Sequence, residues 1–296
     1  MKVIAPTTFN AAIHLVSSTA TEVYSAWASG TTYAKDARVD YGTFIYQSLV
    51  NSNTGNQPDI STAFWVQVGP DNTHAMFDDQ ISTATISATP LTVVLDTGLA
   101  NSLALFGLVG SQVVITVTDG PSGPTVYTRT VSLDGTFIFD WYQYFFEPYV
   151  QIEELVLTDL PPYPAARLTV TLSGSGTAQV GQLVFGTQYE LGDAEYGAGV
   201  GIIDYSRKDT DEFGITTFVE RAFSKRMTVR LMLDTVQIRR VQQVLSRIRA
   251  KPSVWVGVPG DSTYDPLTVY GFYRDFSVEV AYPTKSYCSL EIEGLV

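Results

Sequence analysis

The chain has 296 residues, 45% of them hydrophobic and only 16% charged, which excludes a disordered chain and a charged helical rod. One cysteine, Cys288, excludes an internal disulfide framework and a cysteine zinc site, and two histidines, His14 and His74, leave histidine-based catalysis few candidates. Residues 1–200 carry 5 Lys and Arg against 18 Asp and Glu, a net of −13, whereas residues 201–296 carry 13 against 12, a net of +1, so the acidic body disfavours nucleic-acid binding.

In chain order, residues 1–22 are small and polar with a few apolar anchors (Ile4, Phe9, Ile13, Leu15, Val16) and read as an arm that packs on something else. Met1-Lys2-Val3-Ile4-Ala5-Pro6 lacks the apolar run of a signal peptide. Residues 23–70 form a compact aromatic unit. Residues 71–192 alternate short apolar runs with turn signals such as Asp119-Gly120-Pro121-Ser122-Gly123-Pro124, Asp134-Gly135 and Ser173-Gly174-Ser175-Gly176, a spacing that predicts a β-sandwich of jelly-roll type. The most apolar stretch, residues 99–117, is broken by polar residues and then alternates at Val113, Ile115 and Val117, so it predicts a strand and no membrane insertion. The glycine-rich segment 192–201 and the change in charge mark a boundary, and residues 193–296 read as an α+β module. There Ile238, Val241, Leu245 and Ile248 recur at helical spacing after Asp234-Thr235, with Pro252 as the stop. The fold class expected is mainly β, with one amphipathic helix.

Within the aromatic unit, Trp27, Tyr33, Val39-Asp40-Tyr41-Gly42-Thr43-Phe44-Ile45-Tyr46, Gln57-Pro58-Asp59 and Trp65 follow one another at a spacing that resembles the small chitin-binding-like carbohydrate-binding module of bacterial chitinases and phage tail proteins. So short a unit must bury large rings, and Val39, Phe44 and Tyr46 with Trp27, Tyr33 and Trp65 are its expected core. In that family, aromatic residues just after the hairpin stack on sugar. Here Leu49 and Val50 stand there, which leaves Tyr41 and Tyr46 as the carbohydrate-binding candidates. The succession from Phe77-Asp78 to Val180-Gly181-Gln182-Leu183 resembles a galactose-binding-like jelly roll, and the last third is similar to phage tail building blocks.

Four further features bear on function. Trp141-Tyr142-Gln143-Tyr144-Phe145-Phe146 is the most aromatic stretch, either a protein–protein contact through Trp141, Tyr142 and Tyr144 or a core strand with rings on both faces. Arg239 and Arg240 lie off the helix's apolar stripe, on a solvated or subunit-facing side. Asp209, Asp211, Gly214 and Glu220 match four positions of a calcium loop, but Phe213 stands where an oxygen ligand belongs and the flanks alternate like strands, so a hairpin turn is expected. The acidic pairs Asp78-Asp79 and Glu153-Glu154 point to opposite faces if they lie on strands, so neither by itself builds a glycosidase site.

Taken together, the resemblance implies a non-enzymatic minor tail or baseplate protein of a tailed bacteriophage. It implies no cofactor and no metal, a homo-oligomer of three or more copies, other tail proteins as partners and a host cell-surface glycan as a further contact. Such a protein assembles in the host cytoplasm and resides in the virion tail. The rival expectation is a free, lectin-like carbohydrate-binding protein, and a weaker one is a glycan hydrolase.

Overall fold

A computed structural model describes residues 1–136, 138–260 and 266–295. The first 70 residues supply β1 (Lys2–Pro6), the single-turn helix α1 (Ala11–His14), β2 (Leu15–Ser18), β3 (Thr32–Tyr33), β4 (Arg38–Tyr41), β5 (Phe44–Ser48), β6 (Asn53–Thr54) and β7 (Trp65–Pro70). The middle supplies β8 (Thr85–Ala88), β9 (Leu91–Asp96), β10 (Ser102–Phe106), β11 (Gln112–Asp119), β12 (Thr125–Ser132), the short helix α2 (Trp141–Phe146), β13 (Glu154–Leu157), β14 (Ala166–Ser173), β15 (Thr177–Val180) and β16 (Gln182–Glu190). The last third supplies β17 (Asp193–Ala194), β18 (Gly199–Asp204), β19 (Arg207–Thr210), β20 (Thr216–Val219) and β21 (Phe223–Asp234). It continues with α3 (Ile238–Ile248), β22 (Ser253–Val256), β23 (Thr268–Glu279) and β24 (Lys285–Gly294). The chain is mainly β, as its aromatic content suggests.

A five-stranded antiparallel sheet, ordered β12-β11-β14-β9-β2, packs against one half of a larger curled sheet ordered β13-β10-β16-β1-β22-β23-β24-β21-β17, in which β18 also pairs with β21. Alternation drives the smaller sheet: Val113, Ile115 and Val117 of β11, and Leu168, Val170 and Leu172 of β14, all face the interior. They meet Leu103 and Leu105 of β10 and Leu183 and Phe185 of β16, which completes the expected sandwich core.

The large sheet does not stop at the boundary read from composition. Strands β13, β10 and β16 of the sandwich and β22, β23, β24 and β21 of the last third belong to one sheet, joined through β1. Residues 71–192 and 193–296 therefore share a hydrogen-bonded framework, which the glycine content and charge of the connector do not report. Residues 1–22, expected to pack on something else, do so as an inserted strand. Strand β1 pairs Ile4 with Gln188 on one side and with Val254 on the other. Val3 and Ile4 are both fully buried, and they belong to different apolar clusters, because successive strand residues point to opposite faces.

Helix α3 lies where its periodicity places it, with a 3-10 turn (Thr235–Gln237) leading in. Val241, Val244, Leu245 and Ile248 are buried against Val229 and Leu231 of β21, Trp255 of β22 and Leu290 of β24. Along its length the sheet curls until its two ends approach: Lys225 Nζ of β21 lies 2.5 Å from Glu154 Oε1 of β13.

Candidate functional site

The aromatic unit folds around three buried residues, Val39, Tyr46 and Trp65, with Trp27, Tyr33 and Tyr41 packed at their margin. Trp65 Nε1 donates to the Asn56 carbonyl at 2.9 Å, which satisfies the indole inside the core. Register fixes the two sugar candidates. Tyr46 lies directly opposite Val39 across the β4–β5 hairpin and so points into the same core, only 8% exposed. Tyr41 is half-buried, with its ring 71° from that of Tyr46 and 87° from that of Trp27. The pair thus forms an edge-to-face contact within the unit. Phe44, an expected core residue, is instead 38% exposed.

Where this unit joins the body, the carboxylates of Glu22, Asp40 and Asp71 place oxygens within 4.8 Å of one another. Glu22 accepts from the backbone N–H groups of Asn72 and Thr73 at 2.8 and 3.0 Å and from the Thr73 hydroxyl. Asn72 bonds Thr21 and Ile86, and Asp71 holds the His74 ring at 2.6 Å. The chain entering the unit is thereby clasped to the chain leaving it. Asp40 Oδ1 is buried without a hydrogen-bond partner. Burial first, then the Asp71 and Glu22 charges, raise the Asp40 carboxyl above the ordinary carboxylate range, with His74 opposing them.

The acidic pairs lie elsewhere and apart. Asp79 accepts from the Tyr270 hydroxyl at 3.1 Å, Asp78 accepts from Gln80 N–H and the Thr83 hydroxyl, and Glu154 is paired with Lys225. The segment that partly matches a calcium loop is the β19–β20 hairpin. Asp211 Oδ1 accepts from the N–H groups of Phe213 and Ile215, and Gly214 takes a left-handed φ of 81°, so this carboxylate closes a turn.

The strongest surface signal comes from two projecting elements. Residues 138–150 leave the sandwich after the Asp134–Gln151 bridge and carry α2, where the sequence left a core strand open. Asp140 caps α2 by accepting from Gln143 N–H at 2.8 Å, which favours one helical turn over a strand. Nothing in α2 is buried: Trp141 is 78%, Tyr142 71% and Tyr144 61% exposed, and Phe139, Phe145, Phe146 and Tyr149 join them at the surface. The second projection is the segment 205–223, in which every residue of β19 and β20 is exposed and Phe213, Ile215, Phe218 and Phe223 face water. On the opposite side of α3 from its apolar stripe, Arg239 and Arg240 are exposed, and among the described residues neither enters an ion pair.

In comparisons with known proteins, no family model matches the chain, and no curated protein matches it in sequence.

Proposed function

We propose that this chain is a structural subunit of a bacteriophage tail tip or baseplate, working as a homo-oligomer among other tail proteins. The observation that carries the reading is the pair of projections, residues 138–150 and 205–223, whose large apolar side chains are left uncovered on an otherwise well-packed β body. Contiguous apolar surface above a few hundred Å² marks interaction sites, and a two-stranded hairpin is marginal in water unless something packs on it. The tail assignment within that class rests on the sequence resemblance of the modules. The jelly-roll-like sandwich, continued into a curled sheet with one helix, is compatible with it.

The free-lectin reading has less to rest on, because Tyr46 is core and Tyr41 stacks edge-on. The aromatic unit is then a clasped decoration of the body. Among the described residues, no helix is long and apolar enough to cross a membrane. Quantitative mass spectrometry of gradient-purified particles tests the proposal. Peptides of this chain at a fixed, multiple-copy ratio to the major tail proteins are expected; peptides confined to the particle-free fractions contradict it.

A further inference from the structure

Two exposed surfaces of this chain are chemical complements, and they lie near opposite ends of strand β21. The first is the aromatic projection. Between Arg129 and Arg167 the sequence has no Lys or Arg, whereas Asp134, Asp140 and Glu147 flank or interrupt the rings, so this loop is both apolar and acidic. Its seven aromatic side chains from Phe139 to Tyr149 are 57–78% exposed. At roughly 200 Å² per ring, they offer about 900 Å² of surface, close to the ~800 Å² per partner of a stable interface.

The second surface surrounds the start of α3. Arg239 and Arg240 stand beside Val236, which is 90% exposed, and beside the β23–β24 turn, where Val280 is 67% and Tyr282 59% exposed. The turn is held there by Thr235 N–H donating to the Thr284 carbonyl at 3.0 Å. This surface is apolar, and with Asp234 paired to Lys285 and Glu279 to Arg230 its charges left unpaired among the described residues, Arg239 and Arg240, are basic.

Geometry separates the two. The aromatic loop re-enters the sheet at Glu154, whose ion pair with Lys225 puts it near the first residues of β21. Arg239 and Arg240 follow Asp234, the last residue of β21. At ~3.3 Å per residue, the nine steps from Lys225 to Asp234 span about 30 Å. One copy therefore offers the aromatic loop at one end and its complement at the other.

We infer that residues 138–150 of one copy dock on the Arg239–Arg240 end of α3 in the next, head to tail. The rings cover Val236, Val280 and Tyr282 and stack on the guanidinium groups, while Asp140 and Glu147 supply the counter-charge. Trp, Tyr and Arg are the side chains that dominate interface energetics. The occupant is a second copy because both halves of the complement belong to this one chain. A contact between two different patches is heterologous, so it propagates into a ring or a filament and does not stop at a two-fold dimer. The inference rests on the assembling-subunit reading above and specifies the contact that reading needs.

Two complementary knock-outs test it by light scattering on purified full-length protein. R239E/R240E disables the helix end and keeps the loop; W141A/Y144A disables the loop and keeps the helix end. Wild type is expected to form concentration-dependent multimers that weaken between 50 and 500 mM salt, and each variant alone to stay monomeric, with association weakened at least about tenfold. Mixed one to one, they are expected to give a heterodimer and nothing larger, since each partner retains one working face. Heterodimer formation also shows that both variants fold.

A monomeric wild type at about 200 µM overturns the contact, as does either variant assembling like wild type. A mixture that stays monomeric while both variants keep native circular dichroism overturns it too. Retention of a labelled DNA duplex by Arg239 and Arg240, with assembly unchanged in R239E/R240E, would assign the helix face to phosphate and overturn it as well. Particle-bound chain together with unaffected assembly of the variants would sink this contact alone and leave the tail-subunit reading standing.

Discussion

Ile4 offers a sharp test of how the first residues are used. It is fully buried in the cluster with Ala104, Phe106, Val184, Val254 and Tyr270, on a strand hydrogen-bonded on both sides. Ile4→Ala removes three carbons from a site walled by neighbouring strands that cannot collapse inward, so the transfer loss and the cavity add to about 2–5 kcal/mol. At about 2–4 °C per kcal/mol for a chain of this size, the melting temperature falls by roughly 4–20 °C. The internal control is Ile13→Ala, another apolar residue of the same segment but 67% exposed, where the cost stays within about 0.5 kcal/mol. Urea and thermal unfolding followed by circular dichroism measure both. Equal, small effects from the two substitutions would refute the placement of β1 inside the sheet and return these residues to a peripheral arm.

Three further outcomes follow from the same structure. Trp65, 2% exposed, anchors the core of the aromatic unit, so Trp65→Ala costs about 3–5 kcal/mol there; hydrogen exchange should rise across residues 23–70 while β9, β11 and β14 stay protected, and uniform loss of protection would count against a separate core. Asp40 titrates above its ordinary value when folded, so the folded state takes up its proton first and wild-type stability is gained as pH falls through that window and is lost again as pH rises. Asp40→Asn is accordingly expected to stabilise by less than about 1 kcal/mol at pH 7, because solvent screens this partly buried site, with the advantage shrinking towards pH 4; a variant less stable than wild type at pH 7 would contradict the buried, unpartnered oxygen. Cys288 is fully buried and its thiol is pushed up to about 12 by desolvation, so a chromogenic thiol reagent should react only at the rate of unfolding, and immediate labelling of native protein would show the β21–β24 packing to be wrong.

Elements with a local period were legible in the sequence. Ile238, Val241, Leu245 and Ile248 announce α3 because one helical face carries all the burial, and Val113, Ile115 and Val117 announce β11 because only one sheet face does. Strand β1 carries no such signal: with both faces buried, Val3 and Ile4 are adjacent rather than alternating, and its partners lie about 180 and 250 residues away. The apparent boundary near residue 200 fails for a related reason, since charge and glycine content report solvation and turns but not which strands pair. The aromatic run at residues 141–146 has strand propensity, yet a local cap at Asp140 and the absence of a partner strand decide for a helical turn. Tyr46 reads as core from the sequence and is core, because a hairpin that turns at Gly42 sets it opposite Val39.

The proposed place of this chain in the tail of a virus particle is tested by immunogold electron microscopy of particles from the source lysate. Label concentrated at the distal end of the tail is expected. Label absent from every particle, with the chain recovered only as free protein, would contradict it.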